Sequence, residues 1–71
     1  HQELHALLSQ LPDDYQNVLA ARFLSGLSPE EIAEMMGRSP GAVRVLQFRA
    51  LRAIRKLMVN VEENHGQRNE E

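Results

Sequence analysis

With 71 residues, 42% of them hydrophobic, the chain can form one small domain, close to the size limit at which a single core is stable without disulfides or metals. It contains no cysteine, which excludes disulfides and thiolate metal sites, and no apolar run approaches the length of a membrane span. The net charge is −2, which by itself argues against a nucleic-acid partner. This value is an average, however, because the charges are unevenly distributed along the chain. Because the chain begins with His1 and not with Met, we expect it to be a fragment of a longer protein.

The first predicted element is a short amphipathic helix, because leucines recur at helical spacing at positions 4, 7, 8 and 11. His1 and His5 are four residues apart on this helix, as the two histidines of some zinc-binding helices are. Glu3 does not take the place beside the first histidine that a zinc protease requires, and no third ligand follows nearby. We therefore predict a frayed polar end and no metal site.

The second predicted helix begins at Pro12 and runs to about Ser25, and Gly26 ends it. Asp13 and Asp14 fall in its first turn, where acidic side chains interact favourably with the helix dipole. Val18, Leu19 and Phe23 lie near one another on the helical wheel and are predicted to pack in the core. Tyr15 is predicted to pack its ring at the start of the helix.

The third predicted helix has strong start and stop signals. Ser28 is a good N-cap, Pro29 suits the first helical position, and Glu31 is placed to complete a capping box. Gly37 follows where the helix needs a left-handed residue, and Ser39 is a second N-cap that opens a fourth helix. The apolar residues of the third helix lie close together on a helical wheel: Ile32, Ala33, Met35 and Met36. We expect Met35, Met36 and Met58 to fill the core and not to form a ligand surface.

The fourth helix has two different faces. The face predicted to point inward is mostly apolar: Val43, Leu46, Gln47, Ala50, Leu51, Ile54, Leu57 and Met58. The opposite face is largely basic: Gly41, Val45, Phe48, Arg49, Arg52 and Lys56, with Arg44 and Arg55 beside it.

A short helix, a turn that contains glycine and a longer helix are typical of the helix-turn-helix, whose second helix enters the major groove of DNA. Ala33 is small enough for the crowded crossing of the two helices, and Val43 and Leu46 are predicted to pack against Ile32 and Met36. We therefore predict an all-α fold, a small bundle of four helices with a C-terminal helix-turn-helix.

This domain is predicted to occupy residues 1–59. The remaining residues, 60–71, form a polar tail without apolar periodicity, which we expect to be disordered.

The charges are segregated along the chain. Residues 1–37 carry six acidic side chains against Arg22 alone, and residues 60–71 carry four against Arg68. Residues 38–59 carry six basic side chains and no acidic one. Because solvated helices usually mix both signs to form spaced ion pairs, this segregation favours a nucleic-acid partner over a surface that is merely soluble.

No pattern indicates an enzyme. The chain has no cysteine nucleophile, no glycine loop that could cradle a phosphate and no histidine paired with a carboxylate at a plausible site. Its serines are better explained as helix ends and caps. We predict no catalytic residues and no cofactor.

Residues 11–57 contain a succession of short motifs: Leu11-Pro12, Arg22-Phe23 before Gly26-Leu27-Ser28, Glu31-Ile32-Ala33-Glu34, Gly37 with Ser39, Gly41-Ala42-Val43-Arg44, and Arg49-Ala50-Leu51. In this combination the chain resembles region 4 of bacterial sigma factors, particularly the extracytoplasmic-function (ECF) group of the sigma-70 family, and the resemblance extends over about residues 4–58.

The resemblance implies a domain of the sigma region 4, winged-helix-like type, acting in the bacterial cytoplasm. It also implies that the last helix reads the minus-35 element of double-stranded promoter DNA, while another surface meets the flap of core RNA polymerase. An anti-sigma factor is a further candidate partner, and no membrane partner is implied.

Carried over by position, the resemblance places Arg38 and Ser39 against the DNA backbone. It places six residues on the side that faces the groove: Gly41, Arg44, Val45, Phe48, Arg49 and Arg52. We expect Arg44 and Arg49 to include the base reader. The other basic residues are expected to act mainly through phosphates: Arg38, Arg52, Arg55 and Lys56.

Two other readings remain open. The chain could be the helix-turn-helix output domain of another transcriptional regulator, since similar helices serve many regulators. It could also be a module that docks on RNA polymerase or an anti-sigma factor and binds DNA poorly by itself.

Overall fold

A computed structural model describes the backbone of residues 2–70 and the side chains of residues 4–60. The described backbone forms four α-helices and no β-strand, which confirms the predicted all-α fold. The helices are α1 (Gln2–Ser9), α2 (Asp13–Leu19), α3 (Pro29–Met36) and α4 (Pro40–Glu70), and a π-helical turn (Ala20–Leu24) extends α2.

Helix α4 is the central element of the bundle, because α1, α2 and α3 all pack against it. Val18, Ile32 and Val43, one from each of three helices, are fully buried where α2, α3 and α4 meet. The core that the described side chains form is apolar: Leu11, Val18, Leu19, Ala21, Ile32, Ala33, Val43, Leu46, Ala50 and Ile54. Ala33 is 4% exposed at the crossing, where its small side chain lets α3 approach α4.

The π-helical turn changes which residues enter the core. The Ser25 N–H donates to the Ala20 carbonyl at 3.0 Å, an i→i+5 bond that widens the turn by one residue. Ala21 is buried as a result, whereas Phe23 is 58% exposed. The prediction that Phe23 lies in the core is wrong, because it assumed the regular α-helical spacing up to Ser25.

The end of the π-helical turn is fixed by a backbone hydrogen bond and by a hydrogen bond from one arginine side chain. Gly26 has a φ of +69°, and the Leu27 N–H donates to the Ala21 carbonyl at 3.0 Å. The Arg22 guanidinium donates to the Leu27 carbonyl at 3.2 Å. Arg22 thus fixes the chain just before α3 begins.

The predicted capping box is present at the start of α3. The Ser28 N–H donates to Glu31 Oε1 at 2.8 Å, and the Glu31 N–H donates to Ser28 Oγ at 3.1 Å. Hydrogen bonds with Ser28 lower the pKa of Glu31 below its ordinary value, and the bond from the Ser28 backbone has a larger effect than the bond with its side chain. The box satisfies backbone groups that the first turn of a helix leaves without partners.

The turn of the helix-turn-helix follows the predicted chemistry. Gly37 takes the left-handed conformation with a φ of 68°, and the Arg38 N–H donates to the Ala33 carbonyl at 2.9 Å. Ser39 Oγ accepts from the Ala42 N–H at 3.1 Å and so caps α4. The two helices are therefore joined by a short turn with satisfied ends.

Two methionines lie outside the core that the sequence predicted for them. Met35 is 57% exposed and Met58 is 49% exposed, whereas Met36 packs against the core. The buried side of α3 is centred on Ile32 and Ala33, and Met35 lies beyond its edge. The expectation that all three methionines fill the core is therefore wrong for two of them.

The backbone of α4 is helical to Glu70, beyond residue 59, where the sequence predicted the folded domain to end. The side chains of residues 61–71 lie outside the described part of the chain. The predicted disordered tail, residues 60–71, and the domain boundary before it stay predictions.

Candidate nucleic-acid interface

The orientation of α4 is fixed by the residues it buries. Val43 and Ala50 are fully buried, and Ile54 is 9% exposed, so one side of the helix is held against the core over more than two turns. The opposite side must then face solvent. All ten residues predicted to contact DNA are exposed: Arg38, Ser39, Gly41, Arg44, Val45, Phe48, Arg49, Arg52, Arg55 and Lys56.

The exposed face of α4 combines positive charge with apolar surface. Val45 is 49% exposed and Phe48 is 61% exposed, although both side chains would gain from burial. The guanidinium carbon of Arg52 lies over the Phe48 ring, 6.0 Å from its centroid, at the outer limit of a cation–π contact. A shallow surface depression brings seven residues together: Tyr15, Val45, Phe48, Arg49, Arg52, Ala53 and Lys56.

This face has the two kinds of group that recognition of DNA needs. Arginine and lysine neutralise phosphates and supply affinity that does not depend on sequence. Arginine can also donate two hydrogen bonds to a guanine edge, and an exposed valine or phenylalanine can contact a thymine methyl group.

Arg44 is held by an acidic residue of the neighbouring helix. Its Nη2 donates to Glu30 Oε2 at 2.8 Å, and the two side chains are 58% and 62% exposed. Glu30 lies in the first turn of α3, fourteen residues before Arg44. Residues 38–59 contain no acidic side chain, so the local sequence gives no indication of this pair.

A second ion pair joins the turn to α2. Arg38, in the turn, donates to the carboxylate of Asp14, in the first turn of α2. Their side chains are 39% and 52% exposed. Two of the six basic residues in segment 38–59 therefore have carboxylate partners in the folded domain, so its net attraction for phosphate is smaller than the sequence alone indicates.

Ser39 is engaged in the structure but retains a donor. Its Oγ accepts from the Ala42 N–H, which fixes the hydroxyl at the start of α4. A serine hydroxyl also carries one O–H group that can donate, and a phosphate oxygen could accept from it. The predicted contact of Ser39 with the DNA backbone is compatible with its capping role.

A separate apolar groove lies between α1, the end of α2 and α4. It is lined by Leu4, Leu8, Leu19, Ala20, Phe23, Leu24, Leu51, Ile54 and Met58. Leu24 is 74% exposed and Phe23 is 58% exposed, and Leu4 and Met58 are each close to half exposed. This groove and the basic face share no residue. The groove was not predicted from the sequence, because helical spacing assigns Phe23 and Met58 to the core.

The described residues contain no helix that is both long and apolar enough to cross a membrane. Within the same part of the chain, no three histidine, aspartate or glutamate side chains are grouped so that they could hold a metal ion. His1, one member of the histidine pair in the sequence, lies outside the described residues.

Comparisons with known proteins place this arrangement in a family. The model of the family described as "Sigma-70, region 4" matches residues 1–54. No solved structure matches the chain at a significant level.

Several curated relatives are similar over most of the chain. The ECF RNA polymerase sigma factor ShbA of Streptomyces griseus is 49% identical over 51 residues, which cover 72% of this chain and 27% of that protein. The ECF RNA polymerase sigma factor BldN of Streptomyces coelicolor is 41% identical over 49 residues, which cover 69% of this chain and 19% of that protein. The ECF RNA polymerase sigma factor SigD of Mycobacterium tuberculosis is 41% identical over 56 residues, which cover 79% of this chain and 26% of that protein.

The chain therefore spans between 19% and 27% of the length of these three relatives. The family match covers all four described helices up to Ile54 in α4, and with it the turn and the exposed basic face. Both findings confirm the resemblance of the sequence to region 4 of ECF sigma factors. The chain belongs to the sigma-70, region 4 family.

Proposed function

We propose that this chain is the promoter-reading domain of an alternative sigma factor, which recognises the minus-35 element in double-stranded DNA and so directs RNA polymerase to start transcription. The observation that carries the proposal is the exposed face of α4, where arginines stand beside exposed Val45 and Phe48 on a helix fixed by its buried side. The domain acts by binding and has no catalytic activity of its own.

Within this face the residues have different tasks. Arg44 and Arg49 lie among the exposed apolar residues and are the best placed to reach base edges, where one good bidentate contact discriminates by about 1 to 3 kcal/mol. The exposed residues beside them hold the helix on the sugar-phosphate backbone: Ser39, Arg52, Arg55 and Lys56. Arg38 contributes less to this attraction, because Asp14 balances its charge. Gly41, in the first turn of α4, leaves room for close approach, since nothing lies within 4 Å of the Cβ position.

Selection from a pool of randomised duplexes tests the proposal. The selected duplex is titrated at two salt concentrations, beside a control duplex of the same composition with permuted bases. We expect one sequence to be enriched, and we expect log K to fall with log salt by about 0.9 for each phosphate neutralised. Equal binding of all duplexes by the isolated chain would contradict a role in reading sequence.

The apolar groove supports a contact with a protein partner. The apolar groove lined by Phe23, Leu24 and their neighbours is suited to an apolar segment of a protein partner. We propose that it binds the flap of core RNA polymerase, because it uses another side of α4 and leaves the basic face free for DNA. In the bacterial cytoplasm, one domain could then hold polymerase and promoter together.

The groove also supports the alternative of a docking module. If the isolated chain binds polymerase but selects no DNA sequence, its own role is to hold a protein partner. An anti-sigma factor that covers the groove would compete with polymerase. Competition between the two for the purified chain would identify a shared site.

A further inference from the structure

The contact between Glu30 and Arg44 places a carboxylate inside the proposed DNA-binding surface. Glu30 Oε2 accepts from Arg44 Nη2 at 2.8 Å, and both side chains are more than half exposed. We propose that Glu30 is a specificity-determining residue, which holds Arg44 for reading a base and keeps it away from phosphates. This inference rests on the proposed function.

The geometry leaves Arg44 able to read a base while it is held. A guanidinium has five N–H groups that can donate, and the contact with Glu30 uses Nη2 alone. The remaining N–H groups are sufficient for two hydrogen bonds to guanine O6 and N7. The pair can therefore persist in the complex, with Glu30 fixing the orientation of the arginine.

The charge of Glu30 decides which partner Arg44 takes. A carboxylate close to the guanidinium cancels its charge and repels a phosphate that approaches the same place. A guanine edge is neutral and suffers much less of this repulsion. Arg44 should then add little to sequence-independent binding and much to discrimination between sequences.

The pair is poorly placed to serve stability alone. Exposed ion pairs are held in high dielectric and contribute little to folding, because solvent screens them and their side chains lose entropy. The start of α3 already has its capping box, formed by Ser28 and Glu31 and independent of Arg44. An exposed pair on the DNA side of the domain has its main effect on binding.

The same helix offers a matched control. Glu34 is exposed, carries the same charge and lies one turn after Glu30 in α3, and among the described residues it forms no ion pair. The test compares the 71-residue chain with Glu30→Gln, Glu34→Gln, Arg44→Ala and the double variant Glu30→Gln/Arg44→Ala. The probes are the duplex that the unmodified chain selects from a randomised pool and its permuted control.

In Glu30→Gln we expect tighter binding to the permuted duplex, with a slope of log K against log salt that is steeper by about 0.9, because the neutral amide no longer cancels the charge of Arg44 or repels a phosphate. The ratio of selected to permuted affinity should fall at least about fivefold, the lower end for one base contact. Glu34→Gln should change both quantities much less, and the effect of Glu30→Gln should vanish when Arg44 is alanine.

Equal changes in Glu30→Gln and Glu34→Gln would overturn the inference, since Glu30 would then act only as one negative charge among several. The persistence of the Glu30→Gln effect without Arg44 would overturn it as well. If the unmodified chain selects no duplex, the proposed function fails and this inference fails with it, whereas a selected duplex with an unchanged ratio in Glu30→Gln overturns the inference alone.

Discussion

Ser28 and Glu31 exchange two hydrogen bonds across the first turn of α3, each donating its backbone N–H to the side chain of the other. The exchange ties the loop that follows the π-helical turn to the first helix of the helix-turn-helix. It also couples the protonation of Glu31 to the geometry of that helix, because only the ionised carboxylate accepts fully from the Ser28 N–H.

The first prediction concerns stability and pH. The hydrogen bonds from Ser28 lower the pKa of Glu31 in the folded state, so their contribution is complete above the unfolded pKa and is lost as the pH falls through the folded pKa. We expect Ser28→Ala to lower the free energy of unfolding by about 1 kcal/mol near neutral pH and to reduce the loss on acidification. Urea unfolding over an acidic pH series measures both effects.

Ser25→Ala is the control for removing a serine hydroxyl outside the box, because Ser25 follows the π-helical turn and does not cap α3. Glu31→Gln keeps an oxygen that can accept from the Ser28 N–H but cannot ionise, so an unchanged pH profile in this variant would show that another carboxylate carries the acid sensitivity.

The second prediction concerns the turn of the helix-turn-helix. Gly37 has a φ of 68°, and an added Cβ would meet nothing within 4 Å, so the cost of Gly37→Ala is the cost of the left-handed backbone alone. We expect a loss of about 1 to 2 kcal/mol in the free energy of unfolding. Gly41→Ala is the matched control, because Gly41 is helical with the same open space, and we expect it to be neutral or stabilising by up to about 1 kcal/mol. Equal destabilisation by the two variants in urea unfolding would contradict this explanation.

The third prediction separates base reading from phosphate binding on α4. We expect Arg49→Ala to lower binding to the selected duplex more than to the permuted duplex, because a lost base contact costs discrimination. We expect Lys56→Ala to weaken both duplexes about equally and to reduce the salt slope by about 1, since it removes one phosphate contact. Titration of both duplexes at two salt concentrations tests this division. A uniform loss in both variants would show that Arg49 also acts through phosphates.

The fourth prediction concerns the apolar groove. Leu24 is 74% exposed, so Leu24→Gln should leave the free energy of unfolding nearly unchanged while it weakens binding to purified core RNA polymerase. Met35→Gln is the matched control, because Met35 is also exposed but does not line this groove. Binding of a fluorescently labelled chain to core polymerase, followed by anisotropy, measures the difference. Equal affinity of the two variants would place the polymerase contact elsewhere.

The helix starts and the turn could be predicted because their chemistry is local. Ser28, Gly37 and Ser39 act on backbone groups within a few residues, and the structure places each in its predicted conformation. The exposed face of α4 could be predicted for a similar reason, since the spacing of its buried residues fixes its opposite side.

The remaining features depend on contacts that sequence spacing does not encode. The π-helical turn replaces Phe23 by Ala21 in the core, and a helical wheel assumes that no such turn occurs. The ion pairs of Arg38 and Arg44 join residues 24 and 14 positions apart, and they exist only when α2, α3 and α4 are packed. The apolar groove depends on the same packing of three elements.

The apolar core has a consequence for how the domain responds to its ionic surroundings. Among the residues with described side chains, none that is polar or charged is buried. Added salt therefore screens charges only at the surface, where it would weaken the proposed phosphate contacts without removing any interaction of the core. The proposed binding to DNA and the folding of the domain thus depend on separate sets of forces, and we expect a rise in ionic strength to detach the domain from DNA while its tertiary structure stays intact.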